Sequence, residues 1–171
     1  FNLKVTDIDA IYISHIHADH VGGLEEVAYC TYFNPACKRP TLFCQGQYII
    51  KDDGRAFSSG LVNDLWKNSL RGGLSGLEHV EAQLHTYFDV VPVEENSHFM
   101  WEGIKFDMVQ TVHVSARYKI ENSYGLMWND PDTDERVYIT TDTQFCPINS
   151  MMAYLKEVDV VFHDCETSPF A

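Results

Sequence analysis

The stretch His15-Ile16-His17-Ala18-Asp19-His20 places three imidazoles and one carboxylate within six residues. It follows Ile8-Asp9-Ala10-Ile11-Tyr12-Ile13, a short apolar run rich in Ile that reads as a buried strand. It precedes Val21-Gly22-Gly23, whose glycines allow a sharp turn before a helix that opens near Leu24. The four polar side chains therefore fall on a strand-end loop, where a rigid scaffold can aim them at one point. His15 and His17 are two residues apart, and extended backbone turns both to the same side. Asp19 and His20 follow where the chain bends, facing a second point nearby. Imidazole nitrogen and carboxylate oxygen are the usual ligands of zinc and its neighbours. One segment can thus serve two metals. The alternative is a histidine-rich surface loop, and the order of donors directly after an apolar strand argues against it.

Working outward, 171 residues suffice for one domain, 1–171, with a core of its own. A content of 45% hydrophobic and 13% aromatic residues excludes disorder for most of the chain. No apolar stretch approaches the length of a bilayer span, so no membrane partner is expected. The chain starts at Phe1 and stops at Ala171 soon after a strand, so both ends are expected to be cut from something longer.

Lys and Arg total 12 against 25 Asp and Glu, a formal charge of −13. Such a balance repels polyphosphate unless cations are concentrated locally. Here they are scattered, as Lys38-Arg39, Lys67, Arg71, Arg117 and Lys119. An extended nucleic acid is therefore disfavoured as a partner. A small anion held by metal ions is not, because the ions' own charge dominates such a site. The five cysteines, Cys30, Cys37, Cys44, Cys146 and Cys165, are odd in number and include no Cys-x-x-Cys. That favours a reducing, cytoplasmic setting over a disulfide framework. The even spacing of Cys30, Cys37 and Cys44 lacks a convincing fourth zinc ligand, so these read as ordinary buried thiols.

Along the chain, residues 24–32 suit a short helix, ended by Asn34-Pro35. Thr41-Leu42-Phe43-Cys44 reads as a buried strand, and residues 46–50 as a helix opening. Apolar positions 61, 62, 65, 66 and 70 predict a helix capped by Ser58 or Ser59 and ended by Arg71-Gly72-Gly73. Its stripe reads as core packing, with a lid or a homodimer contact as the alternative. Residues 87–93 read as a strand, and 98–109 as a hairpin turning at Glu102-Gly103 and continuing to His113. Residues 115–122 read as a loop and 123–128 as a strand. Residues 129–135 read as an acidic turn, without the ligand periodicity of a calcium loop. A strand over 136–141 delivers Asp142. A helix is expected over 150–157, with Met151 and Met152 available for packing. A strand over 158–162 delivers His163-Asp164-Cys165-Glu166. His79, His85 and His98 read as non-ligands. This alternation of strands and helices predicts a layered α/β domain.

Three later strand ends thus repeat the opening pattern, at His113, Asp142 and His163. Taken in order, His15-x-His17-x-Asp19-His20, His113 and Asp142 resemble the metallo-β-lactamase fold superfamily. The resemblance extends to Asp7-Ile8-Asp9 upstream and Gly22-Gly23-Leu24 downstream. It implies an α/β fold of four αββα layers, incomplete here at both ends. It also implies two divalent metal ions, zinc first, with manganese or iron as alternatives. His15, His17 and His113 would bind one ion, Asp19 and His20 the other, and Asp142 would bridge them. A further His usually completes the second site, late in the chain. His163 is one candidate. Its segment, His163-Asp164-Cys165-Glu166-Thr167, is also similar to the His-Glu-Ala-Thr element of the ribonuclease Z branch, which belongs to proton transfer there.

Thr141-Asp142-Thr143 is similar to the Gly-Asp-Thr of the same branch, which includes phosphodiesterases. The resemblance and the charge together imply a dinuclear hydrolase acting on a small phosphodiester or nucleotide, with a hydroxide between the ions as nucleophile. Asp19 would orient that hydroxide, and His163 would protonate the leaving alkoxide. For His163 a buried structural role is the alternative. Arg117, Tyr118 and Lys119 follow His113 and would meet the substrate or face solvent. On the same fold the alternatives are a thioester, lactone or lactam hydrolase. A di-iron redox relative would replace His17 with Glu. A non-catalytic binding piece is the last alternative.

Overall fold

In the computed structural model, which describes residues 3–144 and 154–164, the Ile-rich run ahead of the histidines is strand β1, Ala10–Ile13. It lies in the first of two units, Phe1–Glu94 and Glu95–Ala171. β1 pairs in parallel with β2, Thr41–Gln45, and β2 in parallel with β7, Asp89–Val93. The motif leaves the carboxyl end of β1, the edge at which open α/β sheets place their ligands. Between β1 and β2 lie α1, Ala18–Val21, and α2, Leu24–Phe33. Val21, Leu24 and Ala28 bury against Ile13, Leu42 and Cys44 of the sheet in one cluster with Leu65, Leu74 and Leu84. The Asp19-His20 pair, expected on a loop, sits instead on the single turn of α1.

Residues 46–50 do not open a helix. They form β3, Gln47–Ile50, paired with β4, Ala56–Ser59. Two consecutive β-branched residues, Ile49 and Ile50, favour that outcome. Gly46, at φ 130°, lies so close to Ser59 that a Cβ there would stand 2.1 Å from its carbonyl oxygen. The helix after β4 runs in three pieces: α3, Leu61–Asp64; a π-helical stretch, Leu65–Leu70; and α4, Arg71–Leu74. Its N-cap is Gly60 rather than Ser58 or Ser59, and Gln45 Oε1 accepts the Leu61 N–H at 3.0 Å. Gly72 and Gly73 stay helical, because Leu70 and Leu74 on either side are buried and hold the backbone. Leu65 and Trp66 pack into the core as expected. A small hairpin, β5 (Gly76–Leu77) with β6 (Val80–Glu81), leads to α5, Leu84–Tyr87. The strand expected from residue 87 therefore begins at Asp89.

The second unit is a sheet ordered β12-β11-β10-β9-β8. β8, His98–Trp101, turns at Glu102-Gly103 into β9, Ile104–Ala116. Both turn residues have positive φ, as two-residue hairpin loops require. β10, Lys119–Asn129, returns antiparallel, so most of the segment expected as a loop is paired strand, with only Arg117-Tyr118 between. β11, Arg136–Ile139, follows the acidic turn, where Asp130 accepts from Asp132 and Thr133 N–H. β12, Val160–Phe162, adds in parallel at the edge. Val109, Met127 and Tyr138 form a buried cluster against Tyr154, Leu155 and Val158. Of the helix expected over 150–157, Tyr154 and Leu155 are helical, while Met151 and Met152 lie outside the described residues. Among the described residues no helix is long and apolar enough to cross a membrane.

Candidate metal centre

The first donor group is built by the chain leaving β1. Ser14 and His15 are buried, His15 with only 3% of its surface exposed, and Ser14 Oγ faces His15 Nδ1 at 3.0 Å. That contact fixes the ring, and Nε2 is buried as well. His17 is extended at φ −64°, ψ 151°, and enters α1. A ring nitrogen of His15 lies within 4.8 Å of one on His17, and likewise of one on His20. The ring centroids are 4.8 and 4.1 Å apart. Asp19 Oδ2 stands 3.4 Å from His20 Nε2. Nitrogens sharing one zinc at about 2.0–2.1 Å lie roughly 3.4 Å from one another, so only small side-chain rotations separate these rings from coordination. Imidazole nitrogens so grouped form a donor chemistry that fits a divalent ion, whereas Asp19, on the exposed side of α1, joins no donor group among the described residues.

The second donor group lies on the β9–β10–β11 side. Glu121 stands opposite Val114, and Asn122 opposite Val112, so His113 is the extra residue of a β-bulge. Bulges re-aim one side chain and favour sites beside active centres. Past β11, Thr140 is buried and Thr141 takes φ 55°, a left-handed conformation that is strained for a β-branched residue. The bend turns Asp142 toward His113, with Oδ2 3.9 Å from Nε2. Beyond it, Gln144 N–H and Thr143 Oγ1 both donate to the Val112 carbonyl, at 2.8 and 3.2 Å. The segment carrying Asp142 is thereby tied to the residue next to His113.

His163 directly follows β12 in an exposed position, not the buried one that the structural alternative expects. Its Nδ1 lies 2.9 Å from Thr140 Oγ1. Thr140 has one hydroxyl hydrogen, and the Thr141 carbonyl accepts it at 3.0 Å. Oγ1 then accepts from His163 Nδ1–H. Cys165 and Glu166 of the same segment lie outside the described residues, as does Cys146. Thr140, absent from the sequence reading, is signalled only by being a hydroxyl at the end of an apolar strand.

The remaining candidates stand apart. Tyr48 Oη contacts His85 Nδ1 at 2.8 Å, and burial together with the Arg39 charge holds this imidazole below its usual range. His79 is exposed beside Glu78. Cys44 is buried, which pushes its thiol up, and Cys30 and Cys37 are free and half-buried. Among the described residues no donor group includes a cysteine, His79, His85 or His98.

The fold is that of known solved structures. Unliganded yeast PDE1 matches at a TM-score of 0.59 and 15% identity, over 89% of this chain and 39% of that one. The metallo-β-lactamase fold protein YhfI from Bacillus subtilis matches at a TM-score of 0.52 and 11% identity, over 85% of this chain and 45% of that one. The α/β fold is therefore of the metallo-β-lactamase type. Two relatives called Anti-Pycsar protein Apyc1 are nearer in sequence. That of Paenibacillus harenae is 32% identical over 165 residues, covering 96% of this chain and 58% of the relative. That of Paenibacillus xerothermodurans is 33% identical over 172 residues, covering 96% and 57%. The chain thus spans a little under three-fifths of their length. The family model described as Anti-Pycsar protein Apyc1 matches residues 1–171, and the chain belongs to that family.

Proposed function

We propose that the chain carries the dinuclear centre of a metal-dependent phosphodiesterase acting on a small nucleotide, the two units serving as halves of one domain. The observation that carries this reading is the donor cluster at the end of β1, with His15 buried and His17 and His20 grouped around it. In this reading His15, His17 and His113 would hold one ion and Asp19 and His20 the second, with Asp142 available to both. Zinc suits these ligands best. When bound, a pair of divalent ions supplies charge stabilisation for the phosphoryl oxygens and an acidified water as nucleophile at neutral pH. Asp19, exposed on α1, would orient that nucleophile. His163 Nε2 gives a proton to the leaving alkoxide, while Thr140 holds Nδ1 and fixes the ring.

A net charge of −13 and scattered cations favour a small phosphodiester, such as a cyclic nucleotide, over a long polynucleotide. A cytoplasmic protein is the natural setting for such a substrate and for free thiols. The test is a hydrolysis panel on the whole protein: cyclic mononucleotides, bis-p-nitrophenyl phosphate, a structured RNA, a thioester and a β-lactam. Turnover of the cyclic nucleotides and the aryl diester, dependent on added metal, is expected. Turnover confined to the thioester or lactam would overturn the reading.

A further inference from the structure

Behind the bulge at His113 lies a pair of hydroxyls on facing strand positions. Thr111 of β9 stands opposite Ser123 of β10. Both are buried, Ser123 completely and Thr111 with 3% exposed. Ser123 Oγ donates to the Asp142 carbonyl at 2.5 Å, and Thr111 Oγ1 lies 2.7 Å from Ser123 Oγ. Ser123 has a single hydroxyl hydrogen, already directed at Asp142, so Thr111 donates and Ser123 accepts. The Ser123 carbonyl, 3.2 Å from Thr111 Oγ1, is the weaker second acceptor. The result is a one-way relay from Thr111 through Ser123 to Asp142, in which each bond polarises the next. It ends on the carbonyl of the peptide that joins Asp142 to Thr143, one residue past the left-handed Thr141. A backbone in that conformation persists only when its surroundings over-determine it. Thr111 is also two residues before His113 on the same strand. The relay thus ties the backbone of Asp142 to the strand that carries His113.

We infer that Thr111 and Ser123 are positioning residues whose hydroxyls set the Asp142 carboxylate against His113 and so govern how tightly a metal ion is held there. This rests on the reading above in which Asp142 is a metal donor. Partners that orient a ligand from outside the coordination sphere are commonly worth 10–100-fold in metal affinity.

The experiment is a zinc titration of the metal-free whole protein against a competing chromophoric chelator, for wild type, Ser123→Ala, Thr111→Val and Thr111→Ser. Ser123→Ala and Thr111→Val should each weaken the looser of two binding steps by about 10–100-fold. Thr111→Ser, which keeps the hydroxyl, should restore it. Melting of the metal-free forms is read in parallel. A merely structural role would lower that melting temperature and leave zinc affinity unchanged in variants that remain folded. Unchanged affinity in a folded Ser123→Ala, or equal weakening in Thr111→Val and Thr111→Ser, overturns the inference. If Ser123→Ala does not fold, the Thr111 pair decides alone. A wild type that binds no zinc overturns the metal site and this inference together. A wild type that binds two ions, with variants that match it, overturns this inference alone.

Discussion

At the scale of the residue, the most consequential ionisable groups are those with charged partners. Asp107 on β9 accepts from Arg136 at 2.8 Å and lies 2.7 Å from Lys105 Nζ. Burial alone would raise its pKa, but the hydrogen bonds and charges of Lys105 and Arg136 outweigh it and hold the carboxyl below its usual range. Its contribution to stability is therefore full above about pH 4, the unfolded value, and is lost as pH falls through the lower folded value. Asp107→Asn should destabilise the protein by roughly 1–2 kcal/mol at pH 7, with the difference vanishing in strong acid, as melts across pH will register. His163 gives a second prediction. His163→Ala should lower kcat by about 10²-fold or more with little change in KM. An unaltered kcat would overturn the proton-transfer role proposed for His163.

At the scale of the element, the β10–β11 contact leaves no room for a side chain at Gly125. A Cβ there would stand 2.6 Å from the Ile139 carbonyl oxygen and 2.8 Å from the Tyr138 ring. Gly125→Ala should push β11, which leads to Asp142, off its partner and cost about 1–3 kcal/mol by calorimetry. The sequence made β1, β2 and the Glu102-Gly103 hairpin legible, because apolar runs bounded by turn residues are local signals. It made the donors at the end of β1 legible for the same reason: six consecutive residues carry all of them. The bulge at His113 was not legible, since one extra residue in a strand changes neither composition nor alternation enough to notice. Residues 115–122 read as loop because they are mostly polar, yet on either side of Arg117-Tyr118 their backbone pairs across the hairpin whatever their side chains. The hydroxyls at Thr111, Ser123 and Thr140 stayed hidden because their partners are distant in sequence.

At the scale of the whole molecule, stability and ligation are linked. A metal that binds the native chain and not the unfolded one adds about 2.7 kcal/mol at a hundredfold excess over its Kd. Removing metal with a chelator should therefore lower the melting temperature, and resupplying zinc should restore it; identical melts would mean that the native state binds none. The two sheets also differ in how far apart their partners lie along the chain. The first unit pairs Ala10 with Thr41 and Thr41 with Asp89. The second pairs neighbours across short turns, as Trp101 with Ile104 and Ala116 with Lys119. Closing long loops is slow, and local antiparallel pairing is fast. The meander that carries His113 is therefore expected to form before the parallel sheet that presents His15, His17 and His20, an order that pulsed hydrogen exchange during refolding would check. On this expectation the two sheets assemble in the reverse of their order along the chain.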